Sequence, residues 1–185
     1  MSETASTIAG VLSFWFCDDT KAHWFASTPA FDARVKDILG QTYQQAANGD
    51  LVDWEETREG RLALLILLDQ VPRMIFRGTP RSYASDDAAL VLAKRCLLHG
   101  DDIALPKEDE RRSFLYLPFM HSENLDDQRR SVELHETYGP EAGLNWARGH
   151  RDTIARFGRF PHRNARLGRQ STASELDFLK AKDSA

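Results

Sequence analysis

The stretch from Gly60 to Asp86, GRLALLILLDQVPRMIFRGTPRSYASD, constrains this chain more than any other. Leu62 to Leu68 is an unbroken run of seven apolar residues, most of them good helix formers. A helix without a polar face has to be buried on all sides, so the run predicts a central core helix. Pro72 has no amide proton and disfavours the α conformation at Val71, so regular helix is expected to stop near Gln70. Asp69 then falls in the last turn. There its carboxylate faces the negative end of the helix dipole and requires a cation. Arg73, Arg77 and Arg81 follow at once, so the core helix is expected to deliver a polar cluster.

The rest of the chain fits a soluble helical protein. Its 185 residues suit a single all-helical domain over 1–185 with a real hydrophobic core. Apolar and charged fractions of 42% and 28% suggest neither disorder nor membrane residence, and a seven-residue apolar run is far too short to span a bilayer. The N-terminal MSETASTIAG has an acid and no basic segment, so no secretory signal is expected. Cys17 and Cys96 sit in apolar helical patterns and read as free thiols, which favours a cytoplasmic location. A formal net charge of −4 argues against general binding to polyanions, so nucleic acid is not an expected partner.

In chain order, Ile8 to Phe16 predicts a first helix. Thr28-Pro29 reads as the cap and first residue of a second helix, which carries Phe31, Val35, Leu39 and Tyr43 and stops at Asn48-Gly49. Asp53 and Glu56 have the spacing of a capping box for the core helix. Ser85 is expected to cap a helix ending at Gly100. From Glu108 a further helix should be kinked or ended by Pro118. Asn124 caps the next, which closes near Gly139-Pro140, and Glu141 to Phe157 forms another. Thr172 and Glu175 make a last capping box before a short amphipathic tail. No segment alternates in the manner of a strand, so the class is all-α, with short connections that favour antiparallel neighbours. No repeat period of 33 to 45 residues can be aligned.

The segments RLALLILLDQVPRMIFRGTPR, FLYLPFMHSENLDDQRRSV and HRDTIARFGRFPHRNARLGRQST, in this order, closely resemble the bacterial family known as domain of unknown function 924, and HWFASTPAFDARV agrees with it. The resemblance covers nearly the whole chain. It implies a fold similar to the tetratricopeptide-repeat superfamily, with stacked antiparallel helix pairs and no consensus repeats, and it implies no particular activity. The family usually has Phe where Val71 stands and Asn where Met74 stands, so Met74 changes the site if that Asn belongs to one.

Chemistry concentrates at two places. Seven arginines (148, 151, 156, 159, 163, 166 and 169) lie between Arg148 and Arg169 with a single acid, Asp152. Within FGRFPHRN, Gly158 permits a left-handed stop, Pro161 starts a new turn, and His162, Arg163 and Asn164 lie in that turn, a combination that suits a phosphate or carboxylate. The same arginines, Arg159 and Arg163 above all, could instead be the ion-pair partners of Asp69, Asp86 or Glu123. The second place is FMHSE after Pro118, where His121 with Glu123 could act as general acid or base, although residues two apart do not face each other on a regular helix. The six histidines include no pair at metal-ligand spacing, so no metal is expected. Neither a nucleophile elbow nor a dinucleotide fingerprint is present, and no cofactor is implied. The tryptophans Trp15, Trp24, Trp54 and Trp146 read as core or hinge packing residues, with Trp24-Phe25, in the polar gap, the pair expected to be partly exposed and able to line a groove.

The expected function is the binding of a small anionic molecule or an acidic peptide by Arg73, Arg77, Arg159, His162, Arg163 and Asn164. Asp69 and Glu123 orient the site, and His121 stands beside it. The alternatives are an enzyme acting on a phosphorylated or carboxylated metabolite, with His121 or His162 as general acid or base, and a scaffold in which the cluster is an internal lock.

Overall fold

The computed structural model describes residues 5–139 and 141–183; Pro140 and the first four residues of the N-terminal stretch read above lie outside them. The described residues form helices joined by turns and loops and contain no strand: α1 (Ile8–Trp15), α2 (Asp18–Lys21), α3 (Pro29–Asn48), α4 (Arg58–Leu65), α5 (Val71–Ile75), α6 (Asp86–Leu98), α7 (Arg111–His121), α8 (Leu125–Tyr138), α9 (Glu141–Phe157) and α10 (Ala173–Asp183). The core helix is central, as its composition requires: Ala63, Ile66, Leu67 and Val71 are completely buried. Helices α1, α6 and α7 pack on α4, α3 packs on α5, and α6 to α9 follow one another as packed neighbours.

The core helix does not stop at Gln70. A π-helical turn, Ile66–Gln70, joins α4 to α5, which runs on to Ile75 with Pro72 in its first turn. The amide of Val71 bonds to Ile66 O, five residues back. Proline is tolerated here because the carbonyl that its missing N–H would have met, Leu68 O, accepts instead from Ser85 Oγ at 2.6 Å. That bond also corrects the role of Ser85, whose side chain makes no cap to α6.

Local signals elsewhere have mixed outcomes. Thr28 caps α3 by accepting from Phe31 N–H, Gly49 ends it in the left-handed region, and Asn124 Oδ1 accepts from Asp126 and Asp127 N–H. The Thr172–Glu175 capping box forms in both directions. The Asp53–Glu56 spacing does not open the core helix: these residues lie in a 3-10 turn, Val52–Glu56, and Thr57 Oγ1 caps α4 by accepting from Gly60 N–H. Gly60 is required there, because a Cβ would lie 2.0 Å from Trp54 O. Pro118 does not end α7, which continues to His121. The connection 99–110 is longer than expected and is tied down by Arg61 on Asp101 (2.6 and 2.7 Å) and Tyr116 on Asp102 (3.0 Å). Trp15 is buried as expected, but Trp146 is 64% exposed and is not a packing residue. Cys17 precedes α2 rather than lying in a helix, and both cysteines are free.

Candidate functional site

The π turn and α5 present Asp69 and Arg73 at the end of the buried run, and the last turn of α7 brings His121 to them. Gln128 of α8, itself fully buried, fixes that last turn: its Nε2 donates to Met120 O and Ser122 O, both at 2.7 Å. His121 Nδ1 lies 2.7 Å from Asp69 Oδ1. A carboxylate only accepts, so Nδ1 carries the proton and Nε2 is left as the ring's acceptor. Nε2 makes no hydrogen bond to any described residue. Gln70 Nε2 donates to the other oxygen of Asp69.

Burial alone would raise the pKa of Asp69, but the neighbouring Arg73 charge and the hydrogen bonds from His121 and Gln70 hold it well below the usual carboxylate range. Burial and the Arg73 charge push the pKa of His121 below that of a free imidazole, against the pull of Asp69. The pair is therefore an ionised carboxylate behind a neutral histidine at neutral pH.

Arginines close the cluster. Arg73 Nη1 donates to Asp69 O (2.6 Å) and Asp86 Oδ1 (2.8 Å), and its Nη2 donates to Asp86 Oδ2 (3.1 Å). Arg163 reaches the same carboxylate from the far end of the chain, with Nη1 at 3.3 Å from Asp86 Oδ2 and Nη2 donating to His121 O at 3.0 Å. Its guanidinium lies 4.6 Å from the ring centroids of both Tyr83 and Phe160. Next to it, Arg169 makes a two-pronged bond to Glu123 (2.6 and 2.9 Å), which also accepts from Phe160 N–H at 2.7 Å. The carboxylate partner of His121 is thus Asp69, and Glu123 belongs to Arg169.

The other expected residues are dispersed. Arg77 sits on the rim, with Nε and Nη2 on Asp32 (2.6 and 3.1 Å). Arg159 is held by Glu175 (2.7 and 2.9 Å), whose pKa that contact and Thr172 N–H lower to about 2. Gly158 is left-handed, as expected, but the turn from Pro161 is only three residues long, and the Arg163 and Asn164 amides are spent on Phe160 O and Pro161 O. His162 is exposed on another face, and buried Asn164 donates to Ser171 Oγ at 3.1 Å. Gln70 and Tyr83 were not singled out from the sequence. Gln70 follows Asp69 directly, and Tyr83 lies in the RGTPRSY segment, so only the tertiary contacts assign them roles.

Two clefts flank His121. One, about 200 Å³, is bounded by Trp24, Phe25, Gln70, Met74, Arg77 and His121. The other, about 180 Å³, is bounded by Tyr83, Asp86, Asp87, Glu123 and Arg163 with His121 again on its wall. Trp24-Phe25 does line a groove, with Phe25 80% exposed, and Met74 stands in that groove's wall. Among the described residues, no group of three or more His, Cys, Asp or Glu side chains is arranged to hold a metal ion.

Fold and site together define an all-helical protein in which a π turn in the core helix carries Asp69 to a histidine of α7, beside a cluster of ion-paired arginines. The chain belongs to the family described as bacterial proteins of unknown function (DUF924), whose model matches residues 11–183. It is similar to a solved protein of unknown function from Agrobacterium tumefaciens, with 38% sequence identity, a TM-score of 0.88, and coverage of 94% of this chain and 97% of that one. No curated protein matches it significantly. No described helix is long and apolar enough to cross a membrane.

Proposed function

We propose that the chain binds a small anionic molecule in the cleft between Trp24-Phe25 and Arg77, and that His121 performs general acid–base chemistry on it. The observation that carries this reading is the 2.7 Å contact between His121 Nδ1 and Asp69 in the wall of the cleft. It fixes the tautomer and leaves Nε2 as the acceptor, while burial and the Arg73 charge keep the ring neutral. Arg77 supports the anionic part, since Asp32 takes Nε and Nη2 but leaves Nη1 without a hydrogen bond. The aromatic pair would cover the body of the ligand and exclude water. An acidic peptide entering by its C-terminal carboxylate has the same chemistry at this point.

The test is a thermal melt of wild type, Arg77→Gln and His121→Gln against nucleotides, phosphosugars, coenzyme A derivatives and short carboxylates. A ligand at about 100 times its Kd adds roughly 2.7 kcal/mol, or about 5–10 °C for a domain of this size. The expected result is one ligand class that stabilises wild type and not Arg77→Gln, with any turnover of that class lost in His121→Gln. If no class shifts wild type, the reading fails.

One observation favours a second reading, the internal lock. Asp86 accepts from both Arg73 and Arg163, residues of the core helix and the C-terminal segment, so a single carboxylate joins distant parts of the chain. On that reading the cluster serves stability alone. It predicts a large loss of stability in cluster variants with no ligand effect at all.

A further inference from the structure

We propose that the groove between α9 and α10 is a second binding site, for a small organic anion with an aromatic or hydrocarbon body, and that Arg156 is its anchor. Six of the seven clustered arginines are spent: Arg148 on Glu136, Arg151 on Asp152, Arg159 on Glu175, Arg163 on Asp86, Arg166 on Tyr83 OH and Arg169 on Glu123. Arg156 alone has no carboxylate or hydroxyl partner among the described residues. Its guanidinium instead lies 4.7 Å from the Phe157 ring centroid and 5.9 Å from that of Phe178, which leaves its N–H edge open.

That cation lines a cavity of about 550 Å³, with Trp146, Thr153, Phe160, Phe178 and Leu179 in its walls. The volume suits a small molecule, and the walls set the rings of Trp146, Phe160 and Phe178 beside polar groups of Asn145, His150 and His162. Trp146, 64% exposed, offers its ring to the apolar body of a ligand. The nearest acid in the lining, Asp152, is taken by Arg151, so the charge offered to a ligand is positive. Phe160, 1% exposed, separates this groove from the His121 cluster. Its ring meets His150 and His162, at centroid distances of 5.3 and 5.5 Å, as well as the Arg163 guanidinium. The groove is thus independent of the His121 clefts.

Isothermal titration with naphthoate and its neutral counterpart naphthamide tests the assignment, using wild type, Arg156→Gln, Trp146→Ala and Arg77→Gln. Arg156 and Trp146 are exposed, and thermal melts check that their variants keep the fold. Naphthoate should bind wild type and Arg77→Gln alike at a single site. Naphthamide on wild type, and naphthoate on Arg156→Gln, should bind about tenfold more weakly, the effect of one charge-assisted hydrogen bond. Trp146→Ala should also weaken naphthoate. The proposal is overturned if naphthoate does not saturate wild type below millimolar concentration, or if Arg156→Gln and Trp146→Ala bind as wild type does. Loss in Arg77→Gln alone would place the ligand in the His121 cleft, which refutes the groove site and supports the other.

Discussion

His121 shows how far a single side chain is set by its surroundings. Its pKa is depressed in the folded protein, by burial and the Arg73 charge, so the unfolded chain binds more protons than the native one once the pH falls below about 6.5. His135, buried between Ser131 and Tyr116, is depressed in the same direction by desolvation. Stability contributed by both rings is therefore complete above about pH 6.5 and is lost as the pH drops toward their folded values. Denaturant midpoints should fall between pH 7 and pH 5, and His121→Gln should flatten that slope. A slope unchanged in the variant would mean that the ring is not held neutral. The acids act lower: Asp69 and Glu123, both below the usual carboxylate range, add a second loss below about pH 4. From the sequence, Asp69, Arg73, His121 and Arg163 were legible as members of a cluster, because arginines and a histidine beside a buried-helix carboxylate have few other uses. The Arg163–Asp86 pair was among the ion pairs that the sequence allowed, but which acid each cation meets was not legible. His121 meets Asp69 across 52 residues and Arg163 meets Asp86 across 77, and no local pattern records such contacts.

At the scale of the element, the core helix survives its proline through two devices. The π turn shifts the hydrogen-bond register before Pro72, and Ser85 Oγ supplies the donor that proline lacks. Ser85→Ala should therefore strand a buried carbonyl and cost about 1–3 kcal/mol. In a Pro72→Ala background the restored amide can bond to Leu68 O itself, so the same substitution should cost less than about 1 kcal/mol. Chemical denaturation of the four proteins closes the cycle, and equal costs in both backgrounds would refute the substitution of one donor for the other. Helix existence was readable from apolar periodicity, and Thr28, Asn124 and Gly49 marked ends correctly because caps act within a few residues. Ends governed by distant atoms were not readable. Ser85 has the composition of a cap but donates elsewhere, and Thr57 took the role that the Asp53–Glu56 spacing suggested, because the 3-10 turn brings Trp54 O against Gly60.

Across the whole molecule, the C-terminal segment is fastened by charge as well as by packing. Arg163 and Arg169 reach back to Asp86 and Glu123, while Arg159 and Glu175 hold the segment to itself. The local arginine excess read from the sequence is thus largely neutralised by acids supplied from elsewhere in the chain, which explains how a chain of net charge −4 can carry it. Asp86 is the most consequential of these acids, since its removal leaves Arg73 and Arg163 facing each other. Their mutual repulsion already lowers the pKa of Arg163, second only to burial as a cause. Asp86→Asn should cost about 3–5 kcal/mol, the usual consequence of leaving buried charges uncompensated, whereas Glu133→Gln, which breaks an exposed pair with Arg130, should cost less than about 1 kcal/mol. The location of the loss is as telling as its size. If Asp86 joins the core helix to the C-terminal segment, native-state hydrogen exchange in Asp86→Asn should accelerate first in the amides of 158–176, while those of the buried core run keep most of their protection. Uniform acceleration throughout the chain would mean that the cluster stabilises the core as a whole and does not act as the segment's fastening.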